Sequence, residues 1–369
     1  MTRVYVCGGG VIGASVAYYL AQRGVKPVIL EATSPACSAS GKAGGFLALD
    51  WCDSSPVGPL ARNSFQLHAE LAETLGIDCG YRRVKTHSLS VRPGAGKRAS
   101  RTATALPDWV DQENVAQATV IGNEESTAQV HPELFTKALI HKVQEAGGEL
   151  RLARFVGLET GSGKVTGVRI VDQGTLEETL LPADVVVLAM GAWSRHARAV
   201  LPQLPDVSGM KVHSIVLADS QGATTADALF LAYRGPGGKS LEPEVYPRPN
   251  GQVYVCGVAE EDAVVPSSAA DVTPREDAID ALQGELGKAE LLQQQACFLP
   301  CTDDGLPILG RVPGVEGAFI ATGHSCWGIL NAPATGLAMA ELILDGECSS
   351  LDISAFDPAR FAGVKARRR

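Results

Sequence analysis

Apolar and polar positions alternate most informatively over the first thirty residues. VYVC (4–7) is an apolar run of strand length, and GGGVIG follows it directly. Val11, Ile12, Val16, Tyr19 and Leu20 then recur at helical spacing until Arg23-Gly24 closes the helix. A second apolar run, PVILE, ends on Glu31. Farther along, LARNSFQLHAELAETLG (60–76) sets Leu60, Leu67, Leu71 and Leu75 on one face of an amphipathic helix, with His68 packed or exposed on it. Residues 80–128 lose this periodicity. VHPELFTKALIHKVQEAGG (130–148) restores a helix, ELRLARFVGLE predicts a strand, and the next segment predicts a hairpin and a buried strand ending at Gly191. Strands are expected around KVHSIVLA and QVYVCG, with a helix near 275–287. GAFIATG is a final strand, and APATGLAMAELILDG (332–346) is a helix ended by Gly346.

The βα segments at both ends and in the middle read as one domain, interrupted twice by a second. Residues 1–79, 129–205 and 295–369 make the first, and 80–128 with 206–294 make the second. A length of 369 residues leaves room for two cores. The net charge of −9 argues against a nucleic-acid partner, and the one basic run, the terminal KARRR, reads as a solvated tail. No apolar run approaches the ~18 residues of a membrane span, and with a strand already at residues 4–7 no signal peptide is expected. The nine cysteines form no CxxC pair and no zinc spacing, so no metal is expected. They read as reduced thiols of the cytoplasm or an organellar matrix.

Chemistry enters with the glycines. Gly8, Gly10 and Gly13 fit G-x-G-x-x-G, placed between a strand and a helix as a dinucleotide site requires. Gly8 allows the tight turn, Gly10 the close approach of a pyrophosphate, and Gly13 the packing of helix on strand. Glu31, at the end of the second strand, is placed to accept both ribose hydroxyls, which disfavours a 2′-phosphate and leaves FAD or NAD. The segment SPACSASGKAGGFLALDW (34–51) is dense in small side chains, suited to a flexible loop or to packing on a planar ligand. GHSCWGIL (323–330) allows three readings: a His324–Cys326 nucleophilic pair, a zinc site with Cys297 and Cys301, or the wall of a pocket. Consecutive loop positions seldom aim two side chains at each other, and structural zinc favours tighter spacing, so the wall is preferred.

Four stretches together resemble the D-amino-acid-oxidase-like (DAO) superfamily of FAD-dependent oxidoreductases, which includes glycine and sarcosine oxidases and a branch of uncharacterised oxidoreductases. They are CGGGVIGASVAYYLAQRG, VVVLAMGAWS, CTDDGLPILG and ATGHSCWGILNAPATGLAMAELI. The resemblance implies an α/β fold: a Rossmann-type (glutathione-reductase-like) FAD-binding domain with an inserted mixed α+β substrate domain. It implies FAD as cofactor. Gly8, Gly10, Val11, Ile12, Gly13 and Glu31 would hold the ADP half, and Val156 would meet the adenine through its backbone. Ser40, Ala43, Gly44 and Gly45 would lie along the pyrophosphate and isoalloxazine. Gly191 would end the strand beneath the cofactor, and Gly323, Gly328, Ile329 and Leu330 would pass close to the flavin. Cys297, seven residues before Asp304, corresponds to the cysteine that anchors flavin covalently in monomeric sarcosine oxidases, although Leu299, Pro300 and Asp303 depart from that branch's motif.

The implied reaction is oxidation of a C–N bond in an amine or imino acid, with hydride passing to flavin N5 and oxygen or another acceptor reoxidising it. The alternatives are a dehydrogenase with a protein or quinone acceptor, and a non-catalytic flavoprotein with a trafficking or assembly role. His324, Trp327 and Arg248 are the expected catalytic-site residues, and Trp51, Lys211, His213, Tyr246 and Cys326 the expected substrate contacts. Glycine and D-amino-acid enzymes of the superfamily place an arginine where this chain has Leu299. Glycine oxidases carry another where it has Cys326, and sarcosine oxidases a lysine where it has Trp327. These absences predict poor use of small amino acids and a flatter or bulkier amine held by an aromatic face.

Overall fold

The computed structural model describes residues 2–92, 105–220, 222–235, 240–283 and 289–362. The chain begins β1 (Val4–Cys7), α1 (Val11–Gln22), β2 (Val28–Glu31), a one-turn α2 (Ala39–Lys42), β3 (Phe46–Ala48) and α3 (Gly58–Thr74). Next come β4 (Arg82–Arg83), β5 (Lys85–Val91), β6 (Val115–Gly122), β7 (Thr127–Gln129) and α4 (Pro132–Glu145). β8 (Glu149–Gly161), β9 (Lys164–Asp172) and β10 (Glu178–Pro182) form a meander that leads into β11 (Val185–Leu188) and α5 (Ser194–Ala197). A run of strands follows: β12 (Ser208–Ala218), β13 (Asp227–Arg234), β14 (Ser240–Leu241), β15 (Glu244–Pro247) and β16 (Gln252–Glu260). The chain ends through α6 (Glu276–Gln283), β17 (Leu291–Cys301), β18 (Ile308–Arg311), β19 (Ala318–Thr322) and α7 (Gly328–Leu344).

Two large sheets result. The first has the order β10-β9-β8-β2-β1-β11-β19-β18, with β8, β2, β1, β11 and β19 parallel, the antiparallel hairpin β9-β10 at one flank and antiparallel β18 at the other. Its parallel strands are apolar on both faces, packed on one side against helices and on the other against β9 and residues 197–207. On one face α1 packs against α4 and α7, and α3 packs on α7. The second sheet, β17-β12-β16-β15-β13-β5-β6, is antiparallel except where β13 runs beside β5. A small sheet, β3-β7-β4, lies between them in sequence and draws strands from both expected domains.

Three boundaries differ from expectation. The domain break placed between 294 and 295 falls inside β17, which pairs with β12 from Leu291 to Cys301, so residues 295–301 belong to the second sheet. β11 stops at Leu188, and Gly191 opens a short 3-10 turn with φ +53°. The last helix starts at Gly328 rather than 332 and contains Pro333. Proline there strips the Ile329 carbonyl of its helical donor. His68 of α3 supplies the replacement, its Nε2–H donating to Ile329 O at 2.9 Å, while Ser64 Oγ accepts from Ala334 N at 3.0 Å. A helix that Pro333 forbids locally is thus held by two side chains from a neighbour.

Contrary to the expectation from apolar runs, the helical stretch Ser325–Leu344 is long and apolar enough to cross a membrane by length and composition. Its most apolar 18-residue window is 61% buried inside the protein, and the helix packs against α1 and α3.

Candidate active site

The glycine-rich turn after β1 is held by its own backbone and by one carboxylate. Gly8 N–H donates to Leu30 O at 2.8 Å, and Glu31 accepts from Gly9 N and Thr33 N, each at 2.7 Å. Burial pushes the Glu31 carboxyl up, opposed by the backbone N–H groups of residues 9 and 32–34. Gly13 packs helix on strand: a Cβ there would lie 2.0 Å from Gly8 O. A Cβ on Gly8 would lie 2.2 Å from Ala189 O, so the turn also locks β1 to the end of β11. Val11 N–H, at the head of α1, donates to Ser40 Oγ at 2.9 Å.

Beyond the carboxyl ends of the parallel strands lies a cavity of about 730 Å³. Gly8, Gly10, Val11, Ile12 and Glu31 line one end of it. Val156 lines its side, as the residue of β8 left unpaired by a bulge, since Phe155 faces Ile170 and Gly157 faces Arg169 on β9. Its backbone groups are therefore free of the ladder. Ser40, Ala43 and Gly191 line the middle, and His324, Cys326, Gly328 and Ile329 the far end. The head of α7, with its positive dipole end, points there. Two buried polar atoms on the lining, Ser38 Oγ and His324 Nδ1, have no partner among the described residues.

The remaining expected contacts lie elsewhere. Gly44 is required by Tyr246, whose ring lies 2.4 Å from a Cβ built on it, and Gly45 by Val130 O at 1.9 Å. Gly323 takes φ +80° where a Cβ would strike Thr302, and Leu330 is buried in the helical core. These four residues shape the loops without reaching the cavity surface.

His324 is buried and its Nε2 pairs with Thr335 Oγ1 at 3.0 Å. Burial lowers its pKa to about 3, so it is neutral at ordinary pH and unfit as an acid–base group there. It ties the loop to α7. Arg248 is likewise buried and committed: Nη2 donates to Ala43 O at 3.1 Å, Nη1 sits 3.3 Å from His131 Nε2, and the guanidinium lies over Tyr254. Lys211 pairs with Glu260 at 3.6 Å, and His213 is fully buried with Nδ1 3.3 Å from Val258 O. None of these three faces the cavity, which corrects their expected role.

Cys297 corrects the covalent-flavin expectation. Its thiol is buried among Tyr254 and Cys256, off the cavity lining, and burial pushes its pKa up to about 12. A thiol so raised holds almost no thiolate with which to bond a flavin. Cys326 is exposed to the cavity itself; burial pushes its thiol up, and the charge of Glu244 adds to this. Leu299 also lines the cavity.

Beside Cys326, and off the cavity lining itself, the expected Trp51, Trp327 and Tyr246 join Phe46 and Phe230 in an aromatic wall. Phe46, Trp51 and Phe230 contact one another at centroid distances of 5.0, 5.1 and 5.2 Å. Trp327 meets Trp51 edge-on at 6.4 Å, and Tyr246 stacks on Phe46 at 5.7 Å. Trp51, Trp327 and Tyr246 were legible as site candidates, whereas Phe46 and Phe230 were not, because they join the wall only through strands distant in sequence.

The profile of the FAD dependent oxidoreductases (DAO) matches residues 3–342. The chain belongs to that family. Among curated relatives of this FAD-dependent oxidoreductase, TDA3 of Saccharomyces cerevisiae, provisionally described as an oxidoreductase, is 28% identical over 96% of this chain and 94% of its own. A glycine oxidase of Geobacillus kaustophilus is 27% identical over 98% of this chain and 97% of its own. The crystal structure of glycine oxidase from that organism superposes with a TM-score of 0.77 at 25% identity, covering 98% of this chain and 99% of that one. Iminodiacetate oxidase from Chelativorans sp. BNC1 shares the fold, with a TM-score of 0.76 at 20% identity over 96% of this chain and 99% of its own. The residues present fit FAD: a carboxylate at the end of β2, an unpaired backbone at Val156, and orphaned polar atoms at Ser38 and His324.

Proposed function

We propose that this FAD-dependent oxidoreductase oxidises the C–N bond of an amine or imino acid bulkier than glycine. In this reading the first sheet is a Rossmann-type, glutathione-reductase-like FAD domain and the second carries the substrate. Val156 would hold the adenine, Glu31 the ribose hydroxyls, and Ser40 with Ala43 the pyrophosphate. Gly191, Gly328, Ile329 and His324 Nδ1 would hold the flavin end. When bound, FAD supplies the hydride acceptor for the C–N bond.

The chain's own residues then do three things. Glu31 keeps the glycine turn folded, through Gly9 N and Thr33 N, around the nucleotide end. The head of α7 sets a positive dipole end against the far end of the cavity, where negative charge is favoured. His324, neutral and bonded to Thr335, positions that loop without exchanging protons. The reaction therefore relies on positioning and water exclusion rather than on a strong base.

One observation carries the choice of substrate. Leu299 and Cys326, the positions at which glycine and D-amino-acid enzymes place arginines, both line the cavity, while Arg248 is bound to Ala43 O and His131. A substrate carboxylate there would be unpaired, at a cost of several kcal/mol. The similarity to glycine and iminodiacetate oxidases supports the C–N bond as the target, and the aromatic wall supports a larger substrate. The test is anaerobic titration of the holoprotein with a panel of amines and imino acids, followed by admission of oxygen or an artificial acceptor. Larger cyclic or aromatic amines should bleach the flavin, and glycine, sarcosine and D-alanine should do so weakly. Efficient bleaching by glycine or D-alanine overturns the reading.

A further inference from the structure

The aromatic wall continues the cavity. Ala43 and Cys326 line the cavity, and the residues next to them in sequence, Gly44 and Trp327, reach the wall: Gly44 lies under the ring of Tyr246, and Trp327 meets Trp51. Phe46, Trp51, Phe230 and Trp327 are each only half-buried, so each keeps exposed ring surface. Behind them, Glu244 of β15 accepts from Tyr246 Oη at 2.5 Å and from Cys256 Sγ at 3.6 Å. Both bonds fall on Oε2, and among the described residues no donor reaches Oε1. Glu244 is itself half-buried and pairs across the ladder with Phe230 of the wall, which places it on the same space. The nearby cations face away: Arg248 toward Ala43 O, Lys211 toward Glu260, and Lys42 Nζ toward Ala296 O.

We infer that this wall selects a substrate with a second positive charge, an ammonium held on the ring faces of Trp51 and Phe230 and countered by Glu244. The inference rests on the C–N oxidation proposed above and names the substrate class for it: a diamine or similarly basic amine rather than an amino acid. Ring faces and a half-desolvated carboxylate both attract a cation, and the same carboxylate repels an anionic substrate. Tyr246 pre-orders the carboxylate, since its ring is fixed between Phe46 and Tyr254 while its hydroxyl holds Oε2.

Three para-substituted N-methylbenzylamines test it, bearing aminomethyl, methyl or carboxylate, with binding read from the flavin absorbance shift of the anaerobic holoprotein. The aminomethyl compound should bind about tenfold more tightly than the methyl one, and the carboxylate more weakly than both. Glu244→Gln keeps an oxygen for Tyr246 and should bring the cation-to-neutral ratio to about one, while Trp51→Leu should reduce it. Equal binding of all three, preference for the carboxylate, no binding, or a ratio preserved in Glu244→Gln would each overturn the inference. Should Glu244→Gln fail to retain FAD, the wild-type order and Trp51→Leu decide. Preferential binding of the cation without bleaching by any compound would sink C–N oxidation and leave the cation site standing. Bleaching without preference would do the reverse.

Discussion

The nucleotide end and the aromatic end of the cavity are built by opposite means. At the nucleotide end the backbone carries the geometry: glycines 8 and 13 admit contacts closer than any Cβ allows, and a single carboxylate ties the turn. At the aromatic end the backbone is ordinary strand and helix, and the surface comes from side chains of β3, the loop after it, β13, β15 and the turn before α7. A cofactor common to a family needs the same backbone each time. A substrate wall is rebuilt by changing side chains on an unchanged frame.

Acid should separate the two ends most strongly. His68, His131 and His324 all lie on the α7 and Arg248 side, with pKa values lowered by burial to about 4, 4 and 3. Each folded value lies below the unfolded ~6.5, so the unfolded chain takes up protons first. Their contribution is fully present above pH 6.5 and is lost as pH falls toward the folded values, roughly 2 kcal/mol for each by pH 5. The urea midpoint should drop steeply between pH 7 and 5; a flat profile would mean that these histidines are not buried neutral. His324 should leave no inflection in the pH–rate profile between pH 5 and 8.

Gly13→Ala against Gly191→Ala tests the nucleotide end directly. The first drives a methyl to 2.0 Å from Gly8 O and should cost about 3 kcal/mol or more with loss of FAD. The second meets nothing within 4 Å and carries only the φ +53° strain, about 1 kcal/mol. Comparable melting temperatures for the two would contradict the packing described for α1 on β1. Glu31→Gln should weaken FAD by about 1.5–3 kcal/mol, measured by reconstitution of the apoprotein, because the charged acceptor is lost. Unchanged affinity would remove Glu31 from the cofactor site. The smallest effect is expected at Cys297→Ser: acid precipitation should release all flavin to the supernatant in wild type and variant alike. Flavin retained only by wild type would restore the covalent link.

Much of the first sheet was legible because its signals are local. Strand, glycine turn, helix and Glu31 follow one another within thirty-one residues, and their spacing states their geometry. Helix α3 was legible in the same way, from Leu60, Leu67 and Leu71 on one face. The start of α7 was not, because Pro333 argues against it locally and His68 and Ser64, more than 260 residues away, overrule it. The return to the first domain was placed too early because residues 295–301 join the second sheet through pairing with β12, which no local pattern records.

The sequence by itself determined the nucleotide turn and the helix that follows it, since each depends on residue type at a fixed spacing, and its family resemblance singled out Leu299 and Cys326 as positions without arginine. Only the tertiary structure decided which charges are available. Arg248 looks like a carboxylate binder in VYPRPNG, yet it is bonded to Ala43 O and His131. Glu244, unremarked next to that stretch of sequence, stands at the wall opposite Phe230 with Tyr246 holding one oxygen. Charge is written in the residue, but its availability depends on the partners and burial it meets, and those come from strands brought together across the whole chain.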